Sequence, residues 1–309
     1  MVHVQGANPN RAAVIGVAPM MLAMPGRGVD LDIRVSAPVA GGDLPVILLS
    51  HGYGSSRDGY APLADAWAAA GFVVIQPTHL DSRRLKLAED DPRRPLIWRQ
   101  RVMDLKLCLD RLDWLVGAVP GLAGRADLTR VAVAGHSFGG QTAGFLLGAR
   151  MIGADGEAGE DFSDDRIKAG VLLATAGRGG DDLSAFARAH TPYINSSFDS
   201  LRTPTLVVAG DADRSPLTVR GPDWFADPFH LSPGGRGLLT LFGGEHLLGG
   251  ISGYGVAETT DENPDRVALV ARMTTAFLRS ELTPGDQSWQ DACAALAAEA
   301  QPLGRIEVK

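Results

Sequence analysis

The stretch Val131-Ala-Val-Ala-Gly-His-Ser-Phe-Gly-Gly140 decides how the rest of the chain is read. Its apolar run is that of a buried strand, and Gly135 and Gly139 flank Ser137 in the Gly-x-Ser-x-Gly spacing of a nucleophile elbow. The spacing has a steric cause: a serine held on a strained strand-to-helix turn needs neighbours without side chains. Such a turn lifts the hydroxyl clear of the sheet. A helix starting at Phe138 then aims its free amides and positive dipole end at the place where an oxyanion forms.

Outward from the elbow the same rhythm repeats. Pro45-Val-Ile-Leu-Leu-Ser50 is apolar without alternation, as suits a strand covered on both faces, and it runs into the glycine-rich turn His51-Gly-Tyr-Gly-Ser-Ser56. A helix over 61–70 and a buried strand over 72–76 follow. From Leu96 to about Val116, Trp98, Val102, Leu105, Leu109, Leu112 and Val116 recur at steps of four and three, which predicts one amphipathic crossover helix. Earlier, Met20 to Pro25 and Val29 to Pro38 read as an antiparallel hairpin at a sheet edge, turning at Gly26-Arg27-Gly28. Later, short apolar runs at 168–175, 205–210 and 237–242 each end in polar or glycine-rich residues. Asn263, Pro264 and Asp265 start a closing helix that runs to about Leu282, and an amphipathic tail over 289–300 packs outside.

Strands alternating with helices imply right-handed βαβ crossovers. The expected architecture is a mostly parallel central sheet of about eight strands with helices on both faces. The insertion-like stretches 153–165 and 177–200 are too short for a large lid domain. The expected division is an N-terminal extension over 1–19, a catalytic domain over 20–282 and a helical tail over 283–309.

With 309 residues and 45% hydrophobic content, the chain can bury one large core. A net charge of −7 and a pI near 5.5 argue against a nucleic-acid-binding face, which needs a basic surface. No segment approaches the ~18 apolar residues that cross a bilayer. Met1 to Arg27 lacks the pattern of a signal peptide, so a cytoplasmic protein is the simplest expectation. A chain whose export signal had been removed would read the same way. Cys108 and Cys293 lie in amphipathic stretches and read as reduced thiols, with a disulfide between them as the alternative. No cysteine-histidine cluster suggests a metal, and the glycine-rich turns lack the lysine of a phosphate loop, so no cofactor is implied.

A serine hydroxyl is a weak nucleophile at neutral pH and needs a histidine base oriented by an acid. Of the seven histidines, His3 is too near the terminus, His51 and His136 are fixed in turns, and His79 and His190 precede the strand expected to supply the acid. His246 lies in Gly243-Gly-Glu-His, just past an apolar strand, and is preferred over His230, which sits among prolines before that strand. For the acid, Gly210-Asp-Ala-Asp offers Asp211 and Asp213. Asp211 is placed to bond the turn's own backbone, so Asp213 is preferred. The oxyanion needs two amides: that of Phe138, and that of Tyr53 in the loop after the 45–50 strand.

The basic run Arg83, Arg84, Lys86, Arg93, Arg94, Arg99 and Arg101 is interspersed with acids and reads as a solvated face with local ion pairs. The sharper alternative is a rim attracting an anionic substrate or head group. Trp98, Trp224, Phe225 and Phe229 read as core aromatics before pocket-lining ones.

Ser50-His-Gly-Tyr-Gly-Ser-Ser, Gly135-His-Ser-Phe-Gly-Gly, Gly210-Asp-Ala-Asp and Gly244-Glu-His together resemble the α/β-hydrolase superfamily, in the chain order Ser137, Asp213, His246. Pairing His-Gly-Tyr-Gly with Gly-His-Ser-Phe-Gly-Gly resembles the branch holding chlorophyllases, platelet-activating-factor acetylhydrolases and cutinase-like polyester hydrolases. The resemblance spans about Met20 to Leu282 and implies amides at Tyr53 and Phe138 as the oxyanion hole. It departs from the acetylhydrolases where they take their acid after the preceding strand; this chain has Thr175 there, which leaves Asp213. The expected activity is a serine esterase acting on a small-molecule or lipid-like ester. An acyltransferase or amidase on the same triad, and a non-catalytic ligand-binding relative, are the alternatives.

Overall fold

Short runs of Val, Ile, Leu and Ala build the centre of the molecule. The structure, a computed structural model, describes residues 12–253 and 256–309; residues 1–11, with His3 and most of the expected N-terminal extension, lie outside the described residues. The strands are β1 (Val14–Leu22), β2 (Leu31–Pro38), β3 (Leu44–Ser50), β4 (Val73–Pro77), β5 (Ala126–His136), β6 (Arg150–Met151), β7 (Ile167–Leu173), β8 (Ser196–Ser197), β9 (Thr205–Gly210), β10 (Gly235–Leu241) and β11 (Gly304–Val308). The helices are α1 (Ala61–Ala69), α2 (Ile97–Asp110), α3 (Leu112–Gly117), α4 (Phe138–Leu146), α5 (Ala185–His190), α6 (Asp227–His230), α7 (Pro264–Leu282) and α8 (Ser288–Ala297).

Nine strands form one sheet in the order β1-β2-β4-β3-β5-β7-β9-β10-β11, while β6 and β8 pair separately. From β4 through β10 neighbours run parallel; β1 on β2, β2 on β4 and β11 on β10 are antiparallel. Side chains alternate between faces along each strand. Val46, Leu48, Val131 and Val133 therefore join α2, α3 and α4 in one apolar layer, and Ile47, Leu49, Ala132 and Ala134 join α1, α7 and α8 in the other. Asn263 caps α7 by accepting from the Arg266 amide at 2.9 Å. No helix among the described residues is long and apolar enough to cross a membrane. Cys108, buried, and Cys293 are free thiols.

The edges differ from the reading above. The first strand is Val14–Leu22, not 20–25, because only Met20 and Leu22 of it are buried and no clean alternation marks it. Pro19 is tolerated there because an edge strand leaves backbone N–H groups outside the ladder. The residues assigned to a tight turn form a loop pinned by Arg27, 1% exposed, whose Nε donates to Asp104 at 2.9 Å. At the far edge the tail contributes β11 as well as α8, so the sheet has nine strands instead of about eight; Arg305 and Glu307 disguise that strand. The crossover helix breaks into α2 and α3 at Arg111, whose φ of −120° is not helical.

Candidate active site

Ser137 is the single residue between β5 and α4, at φ 55° and ψ −119°. A side-chain-bearing residue pays on the order of 1–3 kcal/mol for such a conformation. Its surroundings enforce it: the Ser137 amide donates to Leu173 O at 2.9 Å, and its carbonyl accepts from the Gln141 amide at 3.1 Å. A Cβ on Gly135 would lie 2.0 Å from Gly139 O, and one on Gly139 would lie 2.1 Å from Ser50 O. Both glycines are therefore required by backbone contact.

Asp213 follows β9 and His246 follows β10. The turns after these strands are clasped: a Cβ on Gly210 would lie 2.0 Å from Gly244 O, to which Ala212 donates its amide at 3.0 Å. As a result His246 Nε2 is 2.8 Å from Ser137 Oγ, and His246 Nδ1 is 2.9 Å from Asp213 Oδ2. The Asp213 side chain is 0% exposed and that of His246 is 42% exposed. Asp211 instead is exposed, and its Oδ1 accepts from the Gly243 amide at 2.7 Å, bonding the neighbouring turn where its own was expected. His230 ends α6 at the surface, and Thr175 is buried without a hydrogen bond to its hydroxyl.

Two further groups hold the His246 loop. Asp261, paired with Arg266 at 3.0 Å, accepts from the amides of Glu245 and Gly249 at 2.9 and 3.0 Å. His136, set aside in the sequence as a turn residue, donates from Nε2 to His246 O at 2.7 Å. The carbonyl fixes that tautomer, so His136 Nδ1 accepts from the Tyr60 hydroxyl at 2.7 Å, whose oxygen accepts from the Gly52 amide at 3.0 Å. Burial, and next the neighbouring His246, lowers His136 from 6.5 to about 3. Above its ordinary value the group is neutral in both states and its stability contribution is fully present. As pH falls below that value the unfolded chain takes up a proton that the fold refuses, so stability is lost at up to about 1.4 kcal/mol per pH unit. His136→Asn is expected to flatten the slope of unfolding free energy between about pH 6 and 4 by up to that amount, read from urea titrations; an unchanged slope would rule the account out.

A second Ser-His-Asp chain lies beneath the site. Ser50 Oγ is 2.9 Å from His79 Nε2, and His79 Nδ1 is 2.9 Å from Asp104 Oδ2. Its distances match those around Ser137, yet all three residues are 0% exposed and none lines the cavity at Ser137. Burial, and next the charge of Arg101, keeps His79 well below its ordinary range and therefore neutral. This chain is bracing between β3, β4 and α2. Burial, and not hydrogen-bond geometry, separates it from Ser137.

Ser137 opens into a cavity of about 650 Å³, walled by Tyr53, Phe138, Tyr193, Trp224 and Phe225. The Phe138 ring is 5.4 Å from that of Tyr193 and 6.4 Å from that of Tyr53. Phe186 and His190 on α5 complete one side, so the stretch read as an insertion over 177–200 forms a wall. Its short helices gave no sustained period by which to find it. Trp224 and Phe225 line the cavity, whereas Trp98 packs on Phe145 and Phe162 and Phe229 is core. The Phe138 amide, first in α4, has no intrahelical acceptor. The Tyr53 amide donates to no protein group among the described residues.

Most of the basic run is paired at the surface, Arg83 with Glu258, Arg84 with Asp58, Arg93 with Asp91 and Arg99 with Glu160. Arg101 departs from that reading: it is 0% exposed and its Nη1 donates to Asp81 Oδ1 at 2.6 Å. Burial raises the Asp81 carboxyl, but the charge of Arg101 outweighs it and holds the group down at about 2. A sequence signal existed. Arg101 is three residues after Trp98 and four before Leu105, inside the apolar stripe of α2, where a charge has to be buried and paired.

A mostly parallel sheet with helices on both faces and a serine on a strained strand-to-helix turn is the α/β-hydrolase fold. Within that fold the chain is similar to chlorophyllases. The chlorophyllase family model matches residues 29–152, which hold the His51–Gly54 loop and the Ser137 elbow and end before Asp213 and His246. Over 284 residues the chain is 25% identical to chlorophyllase-2 of Arabidopsis thaliana, covering 82% of this chain and 79% of that protein.

Proposed function

We propose that this protein is a serine hydrolase that cleaves carboxylic esters through an acyl-enzyme. The observation that carries the reading is the hydrogen-bonded chain Ser137 Oγ, His246, Asp213, with distances of 2.8 and 2.9 Å, opening into an apolar-walled cavity. His246 Nε2 takes the Ser137 proton as Oγ attacks the ester carbonyl. Asp213 holds the Nδ1–H and steadies the imidazolium, and the amides of Tyr53 and Phe138 receive the oxyanion. His246 then returns the proton to the leaving alcohol. Water, deprotonated by the same base, releases the acid. The similarity to chlorophyllases supports an ester as the substrate.

Arg94 stands on the lining, but aromatic and aliphatic side chains make up most of it and favour an ester whose acyl or alcohol group is apolar and uncharged. With p-nitrophenyl esters from acetate to laurate and a fluorophosphonate probe, the purified chain should turn over the apolar esters and become labelled at Ser137. A p-nitrophenyl ester bearing a terminal carboxylate should react at least about tenfold more slowly, since the cavity leaves that charge poorly solvated. Absence of labelling would reject the nucleophile; preference for the charged ester would reject the substrate class.

A further inference from the structure

We propose that Arg101, paired with Asp81, is a positioning residue that locks the two halves of the oxyanion site to each other. The inference rests on Ser137, Tyr53 and Phe138 acting as described above. The Tyr53 half belongs to the loop after β3 and the Phe138 half to the start of α4. β3 and β5 pair through Ser50 and Gly135, which sets the two strand ends side by side, but Tyr53 and Phe138 lie beyond those ends, where two converging donors need register to a few tenths of an ångström.

One guanidinium touches both. On the loop side Arg101 Nη2 donates to His51 O and, at 3.2 Å, to Ser50 Oγ. Nη1 donates to Asp81 Oδ1 at 2.6 Å, and Asp81 Oδ2 accepts the Gly54 amide at 3.0 Å. Tyr53 is thus bracketed by a carbonyl two residues before it and an amide just after it, both fixed by the same ion pair. On the elbow side Arg101 Nε donates to Thr142 Oγ1 at 3.0 Å, and Thr142 in turn donates to Phe138 O at 2.9 Å. The guanidinium carbon also lies 4.6 Å from the centre of the Phe138 ring. A planar fork with five donors can make these contacts at once, whereas a lysine ammonium is a single point and cannot.

The test uses the full chain with Arg101→Lys, Asp81→Asn and Thr142→Val, assayed for kcat and KM on p-nitrophenyl butyrate and for the Ki of a trifluoromethyl ketone. That inhibitor forms an oxyanion on Ser137, so its affinity reports the donors directly. Arg101→Lys and Asp81→Asn should lose about 10²-fold in kcat with KM nearly unchanged, and Thr142→Val about tenfold. In each, the Ki should rise by the factor that kcat/KM falls. The asparagine and valine variants keep side-chain shape and serve if the lysine variant does not fold. A folded Asp81→Asn protein with kcat within threefold of the parent overturns the proposal. So does a loss confined to KM, or a fall in kcat with Ki unmoved, since either is damage elsewhere. If the parent protein itself has no Ser137-dependent activity, the reading of the nucleophile fails, and the proposal falls with it for that separate reason.

Discussion

Replacing Ser137 by alanine is expected to lower kcat for p-nitrophenyl ester hydrolysis by about 10⁵- to 10⁶-fold, or about 7–8 kcal/mol of transition-state stabilisation. Nucleophile, base and acid act as one unit, so loss of the nucleophile costs nearly as much as loss of all three. What remains is binding in the cavity and two amides without an acyl-enzyme to stabilise. The fold should be unaffected, because Ser137 Oγ bonds only His246 Nε2 and alanine meets the same φ of 55° that serine does. Unfolding temperature is the control for that statement. An alanine variant with kcat within tenfold of the parent would assign the chemistry to another group and remove the proposed mechanism.

Asp213→Asn should lose about 10⁴-fold in kcat with the fold intact. The side chain is fully buried and accepts from His246 Nδ1 at 2.9 Å, so an isosteric amide fits the same space. Its nitrogen, however, has hydrogens to donate. It turns Nδ1 into an acceptor, puts the imidazole proton on Nε2, and leaves no lone pair there for the Ser137 proton. Asp211→Asn is the informative partner, since the exposed Asp211 bonds only the Gly243 amide and its variant should stay within about threefold of the parent. Equal losses at the two positions would contradict the choice of acid.

The Arg101 network bears on how such sites are recognised. Ser50, His79 and Asp104 reproduce the hydrogen-bond distances around Ser137, and a search by geometry returns both chains. They differ in what surrounds them. Ser50 lies on a regular strand, sealed under the loop that carries Tyr53, and accepts a hydrogen bond from a buried guanidinium. Ser137 is on a strained turn facing a cavity. A nucleophile is thus defined by access and by preorganised donors as much as by its base.

The sequence by itself determined the parallel centre of the sheet, and it pointed to the turn at Ser137 and to Asp213 and His246, which the fold brings within hydrogen-bond distance. These features are local: a glycine that backbone contact requires, an apolar run, and a polar residue just past a strand's end. Asp213 is preferred over Asp211 in the sequence because Asp211 is expected to bond its own turn; in the fold the Asp211 carboxylate accepts from Gly243 in the neighbouring one. The tertiary structure alone decided the rest. Edge strands β1 and β11 take their identity from one partner each, so their burial leaves no period to read. The walls at Phe186 and Tyr193 exist only because short helices in a polar stretch fold over the elbow. The place of Arg101 in the apolar stripe of α2 marks it for burial, but its partners are set only when α2 packs beneath the β3 loop. There, desolvation makes pairing with Asp81 obligatory, and that pair is the basis of the linking role proposed for Arg101.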